Sequence, residues 1–167
     1  DLLSDRQVTF IPGDAEQLSF PSGQDLIVSC SALQWFVSPE QFFKRCNALL
    51  SGHGYFAFST FGKENLKEIA AVTGSGLHYY SLEELKKSLS MHYNIVTAGE
   101  ERIRLTFATP LDVLYHLKHT GVTAVCRQAW TKGDLQEFCD KYAKLFSCGN
   151  AVTLTYHPLY IIARKKP

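Results

Sequence analysis

No apolar run in this 167-residue chain approaches the roughly 18–20 residues that a bilayer crossing needs. Nor is any stretch polar or repetitive enough to read as disordered, collagenous or coiled-coil, and no internal repeat is present. An initiator methionine, a basic start and an apolar signal core are all missing from Asp1-Leu2-Leu3-Ser4-Asp5-Arg6. That start reads as the interior of a longer chain and not as a secretory signal. The five cysteines (Cys30, Cys46, Cys126, Cys139 and Cys148) are odd in number, widely spaced and lack any C-x-x-C. A disulfide framework and a zinc ribbon are therefore excluded, and free thiols in a reducing, cytoplasmic compartment are expected. There is no P-loop and no G-x-S-x-G elbow. Gly52-His53-Gly54 and Gly74-Ser75-Gly76 are isolated pairs, the first ahead of a strand and not after one, so both read as turns. His116 and His119 lack a Glu or Cys at ligand spacing, so no metal is expected. The net charge is only +1, and neither a nucleic acid nor a membrane is an expected partner.

The remaining sequence alternates strand and helix signals. Val8-Thr9-Phe10-Ile11, stopped by Pro12-Gly13, and Asp25–Cys30 are short apolar runs of the buried-strand type. Ser38, Pro39 and Gln41 form a capping-box pattern with proline at the first helical position. Phe42, Phe43, Cys46, Leu49 and Leu50 then share one helical face, which Gly52 and Gly54 are expected to end before a strand at Tyr55–Ser59. A helix over about 64–72 follows, then a second capping box at Ser81 and Glu84, and a strand at Tyr93–Thr97. Arg102–Phe107 alternates strictly, which predicts Ile103, Leu105 and Phe107 facing inward. Thr109-Pro110 opens a helix, and Leu135–Phe146 marks the last one. Two terminal strands follow, joined at His157-Pro158, which should be a bulge or lie outside the paired sheet; the Arg164-Lys165-Lys166 tail is expected to be solvated. The pattern implies an α/β fold, and its opening β-(loop)-β-α-β, up to Ser59, has the grammar of a parallel sheet.

Chemistry concentrates in Pro12-Gly13-Asp14-Ala15-Glu16, followed by Asp25–Ser31. Ligands of open parallel sheets bind beyond the carboxyl ends of the strands, and Asp14 and Ser29–Ser31 both fall there. An aspartate at such a place can accept from an exocyclic amino group while the next N–H donates to a ring nitrogen; alternatively, Asp14 only closes an Asx-turn. Gly13-Asp14-Ala15-Glu16-x-Leu18-x-Phe20-Pro21 with Asp25-Leu26-Ile27 resembles the second half of class I S-adenosylmethionine-dependent methyltransferases. Ser31-Ala32-Leu33-Gln34-Trp35, Leu117-Lys118-x-x-Gly121-Val122-Thr123, Leu154-Thr155-Tyr156-His157 and Ile161-Ile162-Ala163-Arg164 narrow it. Together they are similar to the malonyl-[acyl-carrier protein] O-methyltransferases of biotin synthesis, from about Val8 to Lys166.

That resemblance implies a partial Rossmann-like class I methyltransferase domain over 1–167, with its first two strands missing and a helical substrate-lid insertion near 109–149. It implies S-adenosyl-L-methionine as donor, malonyl-loaded acyl carrier protein as partner, and O-methylation of the free malonyl carboxylate. An ionised carboxylate needs no general base, and none is evident. By the same resemblance, Asp14, Ala15, Glu16, Ser29, Ser31 and Leu33 would line the donor, and Gln34, Trp35, Lys118, Arg127, Tyr156 and His157 the acceptor. The family often has Arg where this chain has His78, so a carboxylate-recognition role there is in doubt. Residues 1–100 carry net charge −4 and residues 101–167 net +5, a skew suited to an acidic carrier or merely to solvated faces.

The glycine-rich loop of the family should precede Val8, so the chain reads as a weak or inactive fragment. Without the first two strands, Val8–Ile11 is expected to lack a neighbour and Leu26–Val28 to form an exposed apolar edge. Three outcomes follow: direct pairing of those two segments, strand exchange in a dimer, or an unsettled amino-terminal segment. A non-catalytic binding module on this fold, or a methyltransferase for another small carboxylate, remain alternative readings.

Overall fold

The computed structural model describes residues 9–121 and 130–167. In chain order its elements are β1 (Gln24–Cys30), a 3₁₀ turn (Leu33–Trp35), α1 (Pro39–Leu49), β2 (Leu50–Phe61), α2 (Lys67–Thr73) and α3 (Leu82–Leu89). There follow β3 (Tyr93–Glu100), β4 (Ile103–Phe107), α4 (Pro110–His119), α5 (Lys132–Phe146), β5 (Ser147–Cys148), β6 (Ala151–Tyr156) and β7 (Pro158–Lys165).

The main sheet has the order β1-β2-β7-β3. β1 and β2 are parallel, joined by α1 as a crossover, whereas β7 runs antiparallel to both β2 and β3. The phenylalanine-rich alternation of β2 sends Phe56 and Phe58 to one face, where they meet Phe42 and Phe43 of α1, Leu85 and Leu89 of α3, and Leu159, Ile161 and Ala163 of β7. Each fully buried aromatic there contributes about 1.5–3 kcal/mol of transfer free energy. Outward positions of the same strands are bare: Leu26, Val28, Tyr55, Tyr160 and Ile162 are 38–58% exposed. A continuous apolar face of this kind marks a contact surface.

Several local expectations change. Thr9–Ile11, the described part of the first expected strand, is not a strand and does not pair with β1, whose Leu26 and Val28 form the expected exposed edge. Gly52 and Gly54 do not separate helix from strand; β2 already starts at Leu50. A Cβ on Gly54 would stand 2.8 Å from the Gln24 carbonyl oxygen, so this glycine serves close strand approach. The Ser81 and Glu84 capping box forms, but Ser38 makes no side-chain cap. Ile103 is 39% exposed and so does not face a core. The terminal cations are tied down: Lys165 Nζ donates to the Leu50 carbonyl at 2.8 Å and Lys166 Nζ to the Ser90 carbonyl at 2.6 Å.

A second, antiparallel sheet of order β4-β6-β5 carries its own core. Val113 and Leu117 of α4, Phe138 and Tyr142 of α5, Leu66 and Ile69 beside and within α2, and Val152 and Leu154 of β6 make it up. α4 and α5 therefore share their core with α2 and β6. Thr109 and Thr131 cap α4 and α5 through boxes closed by Asp112 and Asp134. The chain passes from the second sheet to the first at His157, the one residue between β6 and β7, and Pro158 stands at the start of β7 opposite Phe61.

Candidate functional site

The segment after Ile11 folds as a tight turn built on Asp14. Asp14 Oδ1 accepts from Glu16 N–H at 2.9 Å, Oδ2 accepts from Gln17 Nε2 at 2.9 Å, and the Asp14 carbonyl accepts from Gln17 and Leu18 N–H. The Asx-turn anticipated as the plainer role of Asp14 is thus formed. It leaves the second lone pair of each carboxylate oxygen available, and Ala15 N–H takes no part in the turn.

Glu16 fastens this turn to the rest of the site. Its carboxylate accepts from Val37 N–H at 2.9 Å and from Ser38 N–H at 2.8 Å, at the amino end of α1. That is why Ser38 needs no capping box of its own: a carboxylate from 22 residues upstream takes two of the donors there. Arg45 of α1 adds a hydrogen bond to the Leu18 carbonyl. Ala15 lines the same cavity, about 430 Å³, as Ala32, and this cavity runs along β1 from Gln24 to Cys30 against Phe42, Cys46 and Leu49 of α1. Ser31 turns the chain away from β1 in the left-handed region (φ 49°), held by its N–H to the Ser59 carbonyl at 3.0 Å. A non-glycine residue held in that conformation costs on the order of 1 kcal/mol and is over-determined by its neighbours. Leu33 is 3% exposed and sits in the main core below this cavity.

On the other side, Gln34 bridges the two parallel strands. Its Nε2 donates to the Ser31 carbonyl at 2.5 Å, and its Oε1 accepts from Thr60 Oγ1 at 3.2 Å, at the carboxyl end of β2. Trp35 beside it is half exposed. Phe61, next along β2, lies 6.2 Å from Tyr156 ring to ring, so Gln34 and Tyr156 each meet the carboxyl end of β2, through neighbouring residues that face opposite ways. The Tyr156 hydroxyl and His116 Nε2 are 3.0 Å apart, and burial pushes the phenol above its ordinary range. Lys118 is exposed on α4. Arg127 lies outside the described residues.

His157 is 3% exposed and both ring nitrogens are engaged. Nδ1 stands 3.2 Å from Glu64 N–H and so acts as acceptor; Nε2 is then the protonated nitrogen and donates to Glu100 Oε2 at 3.2 Å. A Cβ on Gly62 would come within 2.6 Å of this ring. Around it, Arg102 bonds Glu64 at 2.6 Å and Glu100 at 3.0 Å. The Arg102 guanidinium first, then Lys67, brings the Glu64 carboxyl down to about 2, and Arg102 likewise lowers Glu100. His157 therefore works as a buried strut between the sheets and presents no free cation.

Sequence reasoning passed over Glu64, Glu100 and Arg102, which meet only across the fold, and over Glu68, which meets Thr155, and it gave His116 no role beyond its lack of metal-ligand spacing. Cavity size alone is no guide: a larger cavity, about 760 Å³, lies between α1 and α3, lined by Phe43, Lys44, Tyr80, Leu85 and Lys87. It shares no residue with the Asp14 turn or with β1, whose carboxyl end is where ligands of such sheets bind.

Comparison with known proteins bears on the family and the fold. A family model described as a methyltransferase domain matches residues 1–58. The malonyl-[acyl-carrier protein] O-methyltransferase of Bacteroides thetaiotaomicron is 56% identical over 176 residues, covering 99% of this chain and 67% of that protein. The protein of the same name from Bacteroides fragilis is 58% identical over 167 residues, covering 99% of this chain and 34% of its own length. That from Bacteroides helcogenes is 55% identical over 163 residues, with 96% and 59% covered. The chain thus spans between about a third and two thirds of the length of these relatives. Among solved structures, YcgJ of Bacillus subtilis superposes with a TM-score of 0.56 at 15% identity, over 93% of this chain and 70% of that one. A Bacillus halodurans structure, provisionally assigned as a methyltransferase, does so with 0.66 at 17%, over 98% and 74%. At such identities the likeness speaks to fold alone, the α/β class I methyltransferase arrangement. The chain belongs to the malonyl-[acyl-carrier protein] O-methyltransferase family.

Proposed function

We propose that the protein transfers the methyl group of S-adenosylmethionine to the free carboxylate of malonyl-acyl carrier protein, as the names of its relatives describe for them. The observation that carries the reading is the docking of the Asp14 turn onto the segment after β1 by Glu16, which gathers Ala15, Ser29, Cys30 and Ala32 around one cavity. The cavity fits an adenosyl group: an apolar slot, acceptor capacity left on Asp14, and an Ala15 N–H that takes no part in the turn. When bound, the donor supplies an electrophilic methyl on a sulfonium.

The protein's own task is alignment. The acceptor carboxylate is ionised well below neutrality, so no side chain has to remove a proton. Holding the carboxylate in line with the methyl replaces a bimolecular encounter by an oriented one. The reaction joins opposite charges and so is favoured by a water-poor site. Gln34, Trp35, Phe61 and Tyr156 wall the acceptor side, with residues 109–149 as the lid above it. Lys118 and Arg127 are the candidate cations for the carboxylate or for the phosphate of the carrier's prosthetic arm. His157, spent as a strut, is not among them. The terminal Lys165 and Lys166 cap carbonyls of other elements, so they add less to carrier attraction than the charge skew suggests. A cytoplasmic setting belongs to the same reading, resting on the odd number and wide spacing of the cysteines in the sequence. The test is transfer of an isotopically labelled methyl from the donor, with malonyl carrier protein and free malonate as competing acceptors. Label on the carrier as a base-labile ester is expected; preference for free malonate, or no transfer, overturns the proposal.

A further inference from the structure

Glu68 is a buried carboxylate, 1% exposed, on α2 against the Thr155 end of β6. Among the described residues it meets no cation: Oε2 accepts from Thr155 N–H at 3.0 Å and Oε1 from Thr155 Oγ1 at 2.5 Å. These bonds belong to a longer clasp, in which the chain from Gly62 to Glu68 grips Thr155–His157 residue by residue. Gly62 N–H donates to the His157 carbonyl at 2.7 Å and Leu66 N–H to the Thr155 carbonyl at 2.8 Å. His157 N–H donates to Asn65 Oδ1 at 3.2 Å, and Glu64 N–H to His157 Nδ1 at 3.2 Å.

Taking a carboxylate out of water costs several kcal/mol, and a well-packed apolar side chain of the same size is often neutral or better for stability. What a charged acceptor adds at such a place is registry: it fixes one partner in one position. Here the partner is Thr155. Alternate residues of a strand face opposite ways, so with Thr155 and His157 held toward the 62–68 segment, Tyr156 is turned to the other side. There it meets His116 and Phe61.

We infer that Glu68 is a positioning residue, which through Thr155 sets the place of Tyr156 on the acceptor side of the site. The inference rests on the reading that Tyr156 faces the malonyl acceptor; Glu68 itself touches neither donor nor acceptor.

The test uses the protein as expressed from its gene, with variants E68A, E68Q and T155V, steady-state kinetics with malonyl carrier protein, and 3-fluorotyrosine at position 156. E68A is expected to raise the acceptor KM tenfold or more, with kcat within threefold and donor KM within twofold. E68Q keeps an acceptor for Thr155 N–H and a group to meet its hydroxyl, so it is expected to return the acceptor KM to within threefold of the parent. A purely structural role would move both KM values together, or neither, and either result overturns the inference. Should E68A fail to fold, T155V, which loses only the hydroxyl bond, is expected to raise the acceptor KM severalfold and leave the donor KM alone; an unchanged acceptor KM overturns the inference there too. The fluorine resonance at 156 is expected to shift in E68A, or in T155V in its place, and stay in E68Q; an unmoved resonance in a folded E68A or T155V overturns it. That readout is independent of turnover, so absence of methyl transfer in the parent would defeat the proposed function while the positioning claim is still decided.

Discussion

Replacing Glu16 by alanine removes the one side chain that ties the Asp14 turn to the amino end of α1. Two charge-assisted hydrogen bonds disappear, to Val37 N–H at 2.9 Å and Ser38 N–H at 2.8 Å. In isolation each would be worth about 1.5–3 kcal/mol. Water can reach these partly exposed groups, and loss of a helix-capping side chain typically costs about 1 kcal/mol, so a total of about 1–2 kcal/mol is expected. With a urea m-value of about 1–3 kcal/mol/M, the unfolding midpoint should fall by roughly 0.5–1 M. The same free energy holds the turn against the cavity shared by Ala15 and Ser29, so the donor product S-adenosylhomocysteine should bind about 5–30-fold more weakly by calorimetry. Glu16→Gln can offer one acceptor oxygen and should lie between the two. An alanine variant with an unchanged midpoint and unchanged dissociation constant would refute the assignment of Glu16 as the fastening.

Other perturbations follow from the same contacts. The carboxyl of Glu64 should titrate near 2 by carbon NMR and move up in Arg102→Met, since Arg102 is the larger cause of the depression. Because the folded-state value lies below the ordinary carboxylate value, the stabilisation by this group is complete above about 4.5 and drains away as pH falls toward 2, which acid-unfolding curves of parent and variant will compare. Gly62→Ala should destabilise the fold by about 1–3 kcal/mol in urea, since the new methyl would press on the His157 ring, itself fixed at both nitrogens. Burial pushes the Cys46 thiol up to about 12, whereas Cys30 and Cys148 are exposed. Thiol-specific labelling with peptide mapping should therefore modify Cys30 and Cys148 in the folded protein and Cys46 only after unfolding.

What could be read from the sequence follows the range of the interaction that decides it. Ser81 and Glu84 are three residues apart, and their capping box forms as their spacing suggests. The like pattern at Ser38 and Gln41 does not, because Glu16 supplies the acceptor from far upstream, which no local window contains. The β1 edge was legible as a row of branched residues without a neighbour. The bare face behind it was not: Tyr55, Tyr160 and Ile162 look like core residues until the strand order shows which side the helices cover. Gly52 and Gly54 mimic a helix stop, but Gly54 answers to the close approach of Gln24. The aromatic and threonine positions near the site carried their signal through the resemblance. The acids and Arg102 that fix His157 did not, since their meaning depends on the junction of two sheets.

The central claim is that the donor sits against the Asp14 turn and the tip of β1. Amide NMR on isotope-labelled protein, titrated with S-adenosylhomocysteine, tests it most directly. Shifts gathered at Ala15, Ser29, Ser31 and Ala32 are the expected result, with α5 unaffected. Shifts gathered instead at Phe43, Tyr80 and Leu85, along the larger cavity between α1 and α3, would contradict it.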